Sequence, residues 1–167
     1  MENQKSSKTE KLEHLRSLIK NVETVMFTTI EGNGEMRSRP MTPMEMDTEN
    51  NLWFFTNESS SKIQEIIDNP KVNIAYAHPD ENTYVSIKGI ASVVHVRAQI
   101  EDKWSPILKA WFPEGMEDPD LALLKVAPLE AEYWDSSSSR MVQMFSMLKA
   151  AITGTEYNDG EYGRIKL

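Results

Sequence analysis

The chain has 167 residues, 40% hydrophobic and 26% charged, which is typical of one globular domain. A net charge of −8 without a concentrated basic patch argues against nucleic-acid binding. The absence of cysteine excludes disulfides, thiolate nucleophiles and cysteine metal sites. Because the N-terminus is polar and no apolar run approaches the ~18 residues of a membrane span, we expect a soluble cytoplasmic protein without a membrane partner.

The first third of the chain predicts one helix followed by strands. We expect residues 1–8 to be a flexible tail of a single domain that spans residues 1–167. Leucines at helical spacing predict an amphipathic helix over residues 9–21. Glycine and asparagine in residues 31–34 predict a hairpin turn. The strands flanking and following this turn are predicted at residues 24–30, 35–41 and 44–47.

In the middle of the chain the spacing of apolar residues predicts a strand, then a helix, then two further strands. Residues 49–51 predict a turn that leads into a strongly apolar strand over residues 52–56. Serines before Ile63, Ile66 and Ile67 predict a helix that ends at Asn69-Pro70. The two strands that follow are predicted at residues 71–78 and 83–96, separated by the turn 79–82. Gly89 inside the second of them indicates a bend or bulge.

The last third predicts helices, one strand and a polar end. Helices are expected at residues 98–111 and 119–126 around a turn at 112–115, and at residues 141–152. Alternating residues predict a strand over residues 129–134, and residues 158–167 are polar and turn-rich. About six antiparallel strands with helices at their ends give an α+β, barrel-like fold.

A candidate anion site lies in two nearby segments. Arg37 and Arg39 share one face of a strand, because strand side chains alternate. Ser60, Ser61 and Lys62 stand at a helix start, where free N–H groups favour anions. These residues could therefore converge on a phosphate. Spacing alone favours the simpler interpretation, that the arginines are solvated and the serines only cap a helix.

Seven short motifs, in this order and spacing, resemble the pyridoxamine 5′-phosphate oxidase-like flavoprotein superfamily and within it the general stress protein subfamily. They are Arg37-Ser-Arg-Pro-Met41, Trp53-Phe-Phe-Thr-Asn57, Ser60-Ser-Lys62, Asn69-Pro-Lys-Val72, Tyr84-Val-Ser-Ile-Lys-Gly89, Trp111-Phe-Pro-Glu-Gly115 and Glu132-Tyr-Trp134. The resemblance covers about residues 9–135. It implies a six-stranded split β-barrel with flanking helices that binds flavin mononucleotide (FMN), with flavin adenine dinucleotide (FAD) as the alternative.

The resemblance also implies roles for individual residues. Arg37 and the serine–lysine group Ser60, Ser61 and Lys62 would grip the flavin phosphate. The isoalloxazine ring would lie along Ser38, Arg39, Pro40, Met41, Thr42, Phe55 and Thr56. Tyr84 and Trp111 would reach the flavin from the other subunit of a homodimer, with the flavin at the subunit interface.

Two positions depart from the vitamin oxidases, which carry lysine at Thr42 and arginine at Ser61. Arg39 is a candidate substitute for the lost charges. The C-terminal substrate segment of the oxidases has no clear match, since Arg140 and Arg164 are its only candidates. The resemblance therefore argues against pyridoxamine phosphate oxidase activity.

Two functions remain open from the sequence. The first is a stress-linked, flavin-dependent oxidoreductase that takes electrons from a reduced nicotinamide to a small-molecule acceptor. The alternative is a non-catalytic flavin carrier, sensor or reservoir. No residue is assigned as catalytic, because flavin performs the redox step itself.

No metal site is expected from the sequence. His14, His78 and His95 lack ligand spacing, and the acidic turn with Glu114 and Asp120 lacks the ligand order of a calcium loop. Ser136–Ser139 are interpreted as a loop and cap. Met141, Met144 and Met147 are interpreted as packing residues.

Overall fold

The computed structural model describes residues 2–135 and 161–167, which form three α-helices and seven strands. The helices are α1 (Glu2–Ile19), α2 (Ser61–Asp68) and α3 (Arg97–Lys103). The strands are β1 (Val25–Ile30), β2 (Met36–Met41), β3 (Leu52–Asn57), β4 (Lys71–His78), β5 (Thr83–Val94), β6 (Leu121–Asp135) and β7 (Glu161–Lys166). Within the same residues, no helix is both long and apolar enough to cross a membrane.

The strands form one antiparallel sheet in the order β2-β1-β4-β5-β6-β3. The 15-residue β6 pairs with β5 along one edge. Its other edge is shared, because residues 121–126 pair with β3 and residues 130–135 pair with β7. The path ends at β2 and β3, so the sheet does not close on itself. The predicted α+β split barrel is confirmed, with seven described strands instead of six.

The long β5–β6 pair contains an irregularity at Gly89, where the register shifts after Lys88. A Cβ atom at Gly89 would lie 2.6 Å from Val126 Cγ1 and 2.9 Å from the Ala127 carbonyl oxygen. Only glycine allows this close approach, which confirms the bulge expected there.

Two clusters of buried side chains lie on opposite faces of the β3–β6 pair. The main core contains Phe27 and Phe54, whose rings meet edge to face at 5.1 Å, and helices α1 and α2 pack against it through Leu15 and Ile66. The second cluster centres on Trp53 and includes Ile100, Phe112, Leu121 and Leu123. The segment 97–117 packs on the sheet through this second cluster, and it forms one wall of the site described below.

Two predicted elements are wrong for identifiable reasons. Residues 119–126 are not helical, since β6 begins at Leu121 and both of its faces are buried. A strand buried on both faces is a continuous apolar run, which periodicity cannot distinguish from a buried helix. Residues 44–47 form no strand, because Asp47 Oδ1 accepts the N–H groups of Glu49 and Asn51 and turns the chain.

Three other boundaries differ. Helix α1 begins at Glu2, within the residues predicted as a tail. The helix expected over 98–111 is interrupted: the α-helix ends at Lys103, and a separate 3-10 turn spans Pro106–Ala110. The polar C-terminus forms β7. The predictions for Ser136–Ser139, Arg140 and the helix with Met141, Met144 and Met147 lie outside the described residues.

Candidate functional site

Lys62 is a buried lysine on the first turn of α2. Its Nζ donates to Thr56 Oγ1 at 2.6 Å and to Ser60 Oγ at 2.8 Å. Among the residues that the structure describes, no carboxylate forms an ion pair with this ammonium group. Buried charges are normally paired with an opposite charge. Because the described partners of Lys62 are hydroxyl groups, an anion bound next to its ammonium group would be stabilised.

The surroundings of Lys62 make its charge costly. Burial lowers the pKa of Lys62, and the positive charge of Arg39 lowers it further, while Glu65 acts in the opposite direction. Both leading causes disfavour the charged form. An anion next to Nζ would counteract them and raise this pKa.

Arg39 forms an ion pair with the carboxylate of Glu65. Its guanidinium contacts both oxygens of Glu65 at 2.9 and 3.0 Å and donates to Thr29 Oγ1 at 2.7 Å. Thr29 also donates to Glu65. Burial acts to raise the pKa of Glu65, but the hydrogen bonds from Thr29 and Arg39 outweigh it and hold the pKa below its usual value. The structure thus gives Arg39 a partner on α2, and its charge is already balanced.

Arg37 and Ser38 lie on the exposed part of β2. The Arg37 side chain is 55% exposed and pairs with Glu31 at 3.4 Å. Ser38 Oγ lies 2.7 Å from Thr28 Oγ1 on the neighbouring strand. Arg37 is therefore not buried with Lys62 in this structure.

A cavity of about 510 Å³ adjoins Lys62. Seven of the predicted site residues line it: Pro40, Met41, Thr42, Phe55, Thr56, Lys62 and Trp111. The opposite wall comes from the segment between α3 and β6, with Ser105, Ile107, Leu108 and Phe112. The cavity combines an apolar, aromatic wall with one buried cation at its edge, which suits a flat ring that carries an acidic group.

The remaining predicted residues do not line this cavity. Ser60 contributes its hydroxyl to Lys62, and Ser61 bonds to Glu65. Tyr84 is 40% exposed and lies opposite Trp134 in the β5–β6 register. Its proposed contact across a subunit interface stays a prediction.

Several lining residues were missed from the sequence. Asn57 is the last residue of β3 and Met44 lies three residues after β2, and Lys103, Ile107 and Leu108 belong to the segment interpreted as one continuous helix. Asn57 stood inside a quoted family motif, which was a usable signal. The other four carried none: Lys103, Ile107 and Leu108 depend on how the 97–117 segment packs on Trp53, and Met44 packs against the same cluster.

The sequence model of the pyridoxamine 5′-phosphate oxidase like family matches residues 10–158. The chain belongs to this family. The resemblance deduced from the motifs is confirmed.

Individual relatives agree with this assignment. Protein bli-3 of Neurospora crassa is 26% identical over 155 residues, which cover 87% of this chain and 74% of bli-3. A general stress FMN/FAD binding protein from Xanthomonas citri is 28% identical, with a TM-score of 0.68 over 78% of this chain and 92% of that one. A structure described as general stress protein 26 from Jannaschia shares the fold at 22% identity, with a TM-score of 0.76 over 95% and 99% of the two chains.

Proposed function

We propose that this family member binds FMN and acts as a homodimeric, flavin-dependent oxidoreductase. The observation that carries the proposal is Lys62, a buried ammonium group that has two hydroxyl partners and no carboxylate among the described residues. A phosphate beside Nζ supplies the missing negative charge. The similarity to the FMN/FAD binding protein of Xanthomonas citri supports the choice of flavin.

The residues present fit a flavin phosphate and ring. Lys62, Ser60 and the free N–H groups at the start of α2 would hold the phosphate. Phe55, Trp111 and the backbone of residues 40–44 would orient the ring. When bound, the flavin supplies hydride and electron transfer, so the protein needs only to bind, orient and exclude water.

The homodimer is supported by exposure at the cavity rim. Ile107 and Trp111 line the cavity and yet are 72% and 61% exposed. Large apolar side chains that are exposed beside a ligand site are typical of surfaces covered by a partner. A second copy of the chain would cover these two side chains and complete the wall.

An oxidoreductase is favoured over a carrier by a second cavity. It has a volume of about 870 Å³ and shares Thr42, Pro43, Met44 and Trp111 with the first. A second reactant, such as a reduced nicotinamide or an acceptor, could therefore lie next to a bound ring.

The proposal is tested by titrating the purified protein with FMN, FAD and riboflavin, followed through the visible flavin absorbance. We expect a yellow complex that prefers FMN to riboflavin, because riboflavin lacks the phosphate. Reduced nicotinamide added without oxygen should then bleach the complex, and a small acceptor should restore it. A protein that retains no flavin after gel filtration contradicts flavin binding, and a complex that does not bleach indicates the carrier.

Lys62→Met tests the phosphate contact directly. Loss of a charged hydrogen-bond partner costs ~1.5–3 kcal/mol, so FMN should bind roughly 30-fold more weakly while riboflavin binding changes little. Fluorescence titration measures both ligands. Lys71→Met, which removes an exposed lysine at the start of β4, is the matched control and should leave both affinities unchanged. An equal loss for both flavins would place the phosphate elsewhere.

A further inference from the structure

The turn that precedes α2 is fastened to Asp120, the residue before β6. Asp120 Oδ1 accepts the Ser59 N–H at 2.7 Å. Its Oδ2 accepts Asn57 Nδ2 at 2.7 Å and Ser59 Oγ at 3.0 Å. The Asp120 carbonyl oxygen accepts the Glu58 N–H at 2.7 Å. Four hydrogen bonds thus join this one residue to three successive positions of the turn.

Asp120 is well suited to hold the turn. Hydrogen bonds from the Ser59 N–H, from the Asn57 side chain and from the Ser59 hydroxyl lower its pKa, so the carboxylate is ionised at neutral pH. An ionised carboxylate is an acceptor only, and all three side-chain contacts are donors to it. Its own N–H donates to Asp118 Oδ1 at 3.0 Å, which fixes its backbone.

We propose that Asp120 is a positioning residue for the flavin-phosphate site, an inference that rests on the proposed function. Ser59 is followed directly by Ser60, whose hydroxyl lies 2.8 Å from Lys62 Nζ. Asp120 does not line the cavity beside Lys62. It acts by fixing the turn from which Ser60, Lys62 and the first N–H groups of α2 are presented to the phosphate.

The sign of the effect distinguishes positioning from simple electrostatics. A carboxylate close to an anion site repels the anion, so removing its charge should strengthen phosphate binding if charge alone mattered. Removing a positioning residue should weaken it. Asp120→Asn changes the shape of the side chain little. It replaces one carboxylate oxygen with an NH₂ group, which cannot accept a hydrogen bond from Asn57 or Ser59, so the turn loses part of its hydrogen bonding to this residue.

The experiment compares FMN and riboflavin affinities of the full-length wild type, Asp120→Asn, Ser59→Ala and Glu114→Gln. Asp120→Asn is expected to bind FMN about tenfold more weakly, with riboflavin within about twofold of the wild type. Ser59→Ala keeps every charge and removes only the hydroxyl contact, so a smaller loss in the same direction, about threefold, is expected. Glu114→Gln removes the charge of an exposed glutamate that precedes Asp120 in the chain, and it is the control for the loss of a negative charge. Thermal melting confirms that each variant is folded.

The outcomes separate this inference from the proposed function. A selective loss of FMN affinity in both Asp120→Asn and Ser59→Ala supports it. Stronger or unchanged FMN binding in Asp120→Asn overturns it while flavin binding by the wild type stands. An equal loss for riboflavin overturns it too, because the turn would then affect the ring or the fold. If the wild type binds no flavin, the proposed function and this inference both fail.

Discussion

Two cations beside α2 have opposite surroundings. Arg39 has a carboxylate partner, Glu65, with contacts of 2.9 and 3.0 Å, and a further bond to Thr29. Lys62, three residues before Glu65, has among the described residues only the hydroxyls of Thr56 and Ser60 as partners. Arg39 joins β2 to α2 and contributes to the fold. Lys62 is the residue that we propose holds the flavin phosphate.

This difference shows that the groups next to a basic residue determine whether its charge is balanced within the protein or is available to bind an anion. Both residues belong to motifs that resemble the flavoproteins, and the spacing made both candidate phosphate ligands. The carboxylate of Glu65 balances Arg39, yet it does not balance Lys62, whose pKa stays lowered by burial and by the charge of Arg39. A stable ion pair and an available cation therefore lie side by side, and each can be removed separately.

The largest expected effect is on folding stability, from Arg39→Met. This change leaves the largely buried carboxylate of Glu65 without its cation, and breaking a buried pair in this way costs about 3 kcal/mol. Urea unfolding should show that loss for Arg39→Met and less than about 1 kcal/mol for Lys62→Met, which leaves no carboxylate unpaired.

The double variant Arg39→Met with Glu65→Gln is the matched control for that prediction. Removing the stranded charge should restore more than about half of the lost stability. If Lys62→Met destabilises the protein as much as Arg39→Met, the assignment of one cation to folding and the other to binding is wrong.

A second effect, of intermediate size, is on the pH dependence of stability. The folded protein holds the pKa of Glu65 below its ordinary value of 4.5, so between the two pKa values the unfolded chain binds more protons. Stability from this pair is therefore present above pH 4.5 and is lost as the pH falls through the folded pKa. Glu65→Gln should show a shallower acid decline in urea unfolding followed between pH 6 and pH 3, whereas Glu23→Gln, at an exposed position, should follow the wild type. Parallel curves for wild type and Glu65→Gln would contradict the prediction.

Much of the fold could be predicted because its strands have local signals. The turn at residues 31–34, the bulge at Gly89 and the Asn69-Pro70 helix end each depend on the conformation that a single residue type favours. The errors arose where tertiary contacts decide. Residues 121–126 look helical because β3, β5 and two clusters of side chains bury them from every side.

The candidate site was predictable in part for the same reason. The resemblance implied that Lys62, Thr56, Phe55 and Thr42 share one site, and all four line one cavity, although β2 and β3 lie at opposite ends of the sheet order. The motifs could not show that Glu65 balances Arg39 or that Asp120 holds the turn. Glu65 is 26 residues from Arg39 and Asp120 is 61 residues from Ser59, and no local pattern links such pairs.

The smallest expected effect comes from the buried hydroxyl of Tyr76. Tyr76 is 3% exposed, its hydroxyl has no hydrogen-bond partner among the described residues, and burial raises its pKa. An unsatisfied buried hydroxyl costs stability, so Tyr76→Phe should raise the free energy of unfolding by about 1 kcal/mol in urea. Tyr84→Phe, at an exposed position on β5, should change nothing. A gain would show that the unpartnered hydroxyl of Tyr76 costs the folded protein stability. A loss of stability in Tyr76→Phe would mean that the hydroxyl has a partner, such as an ordered water.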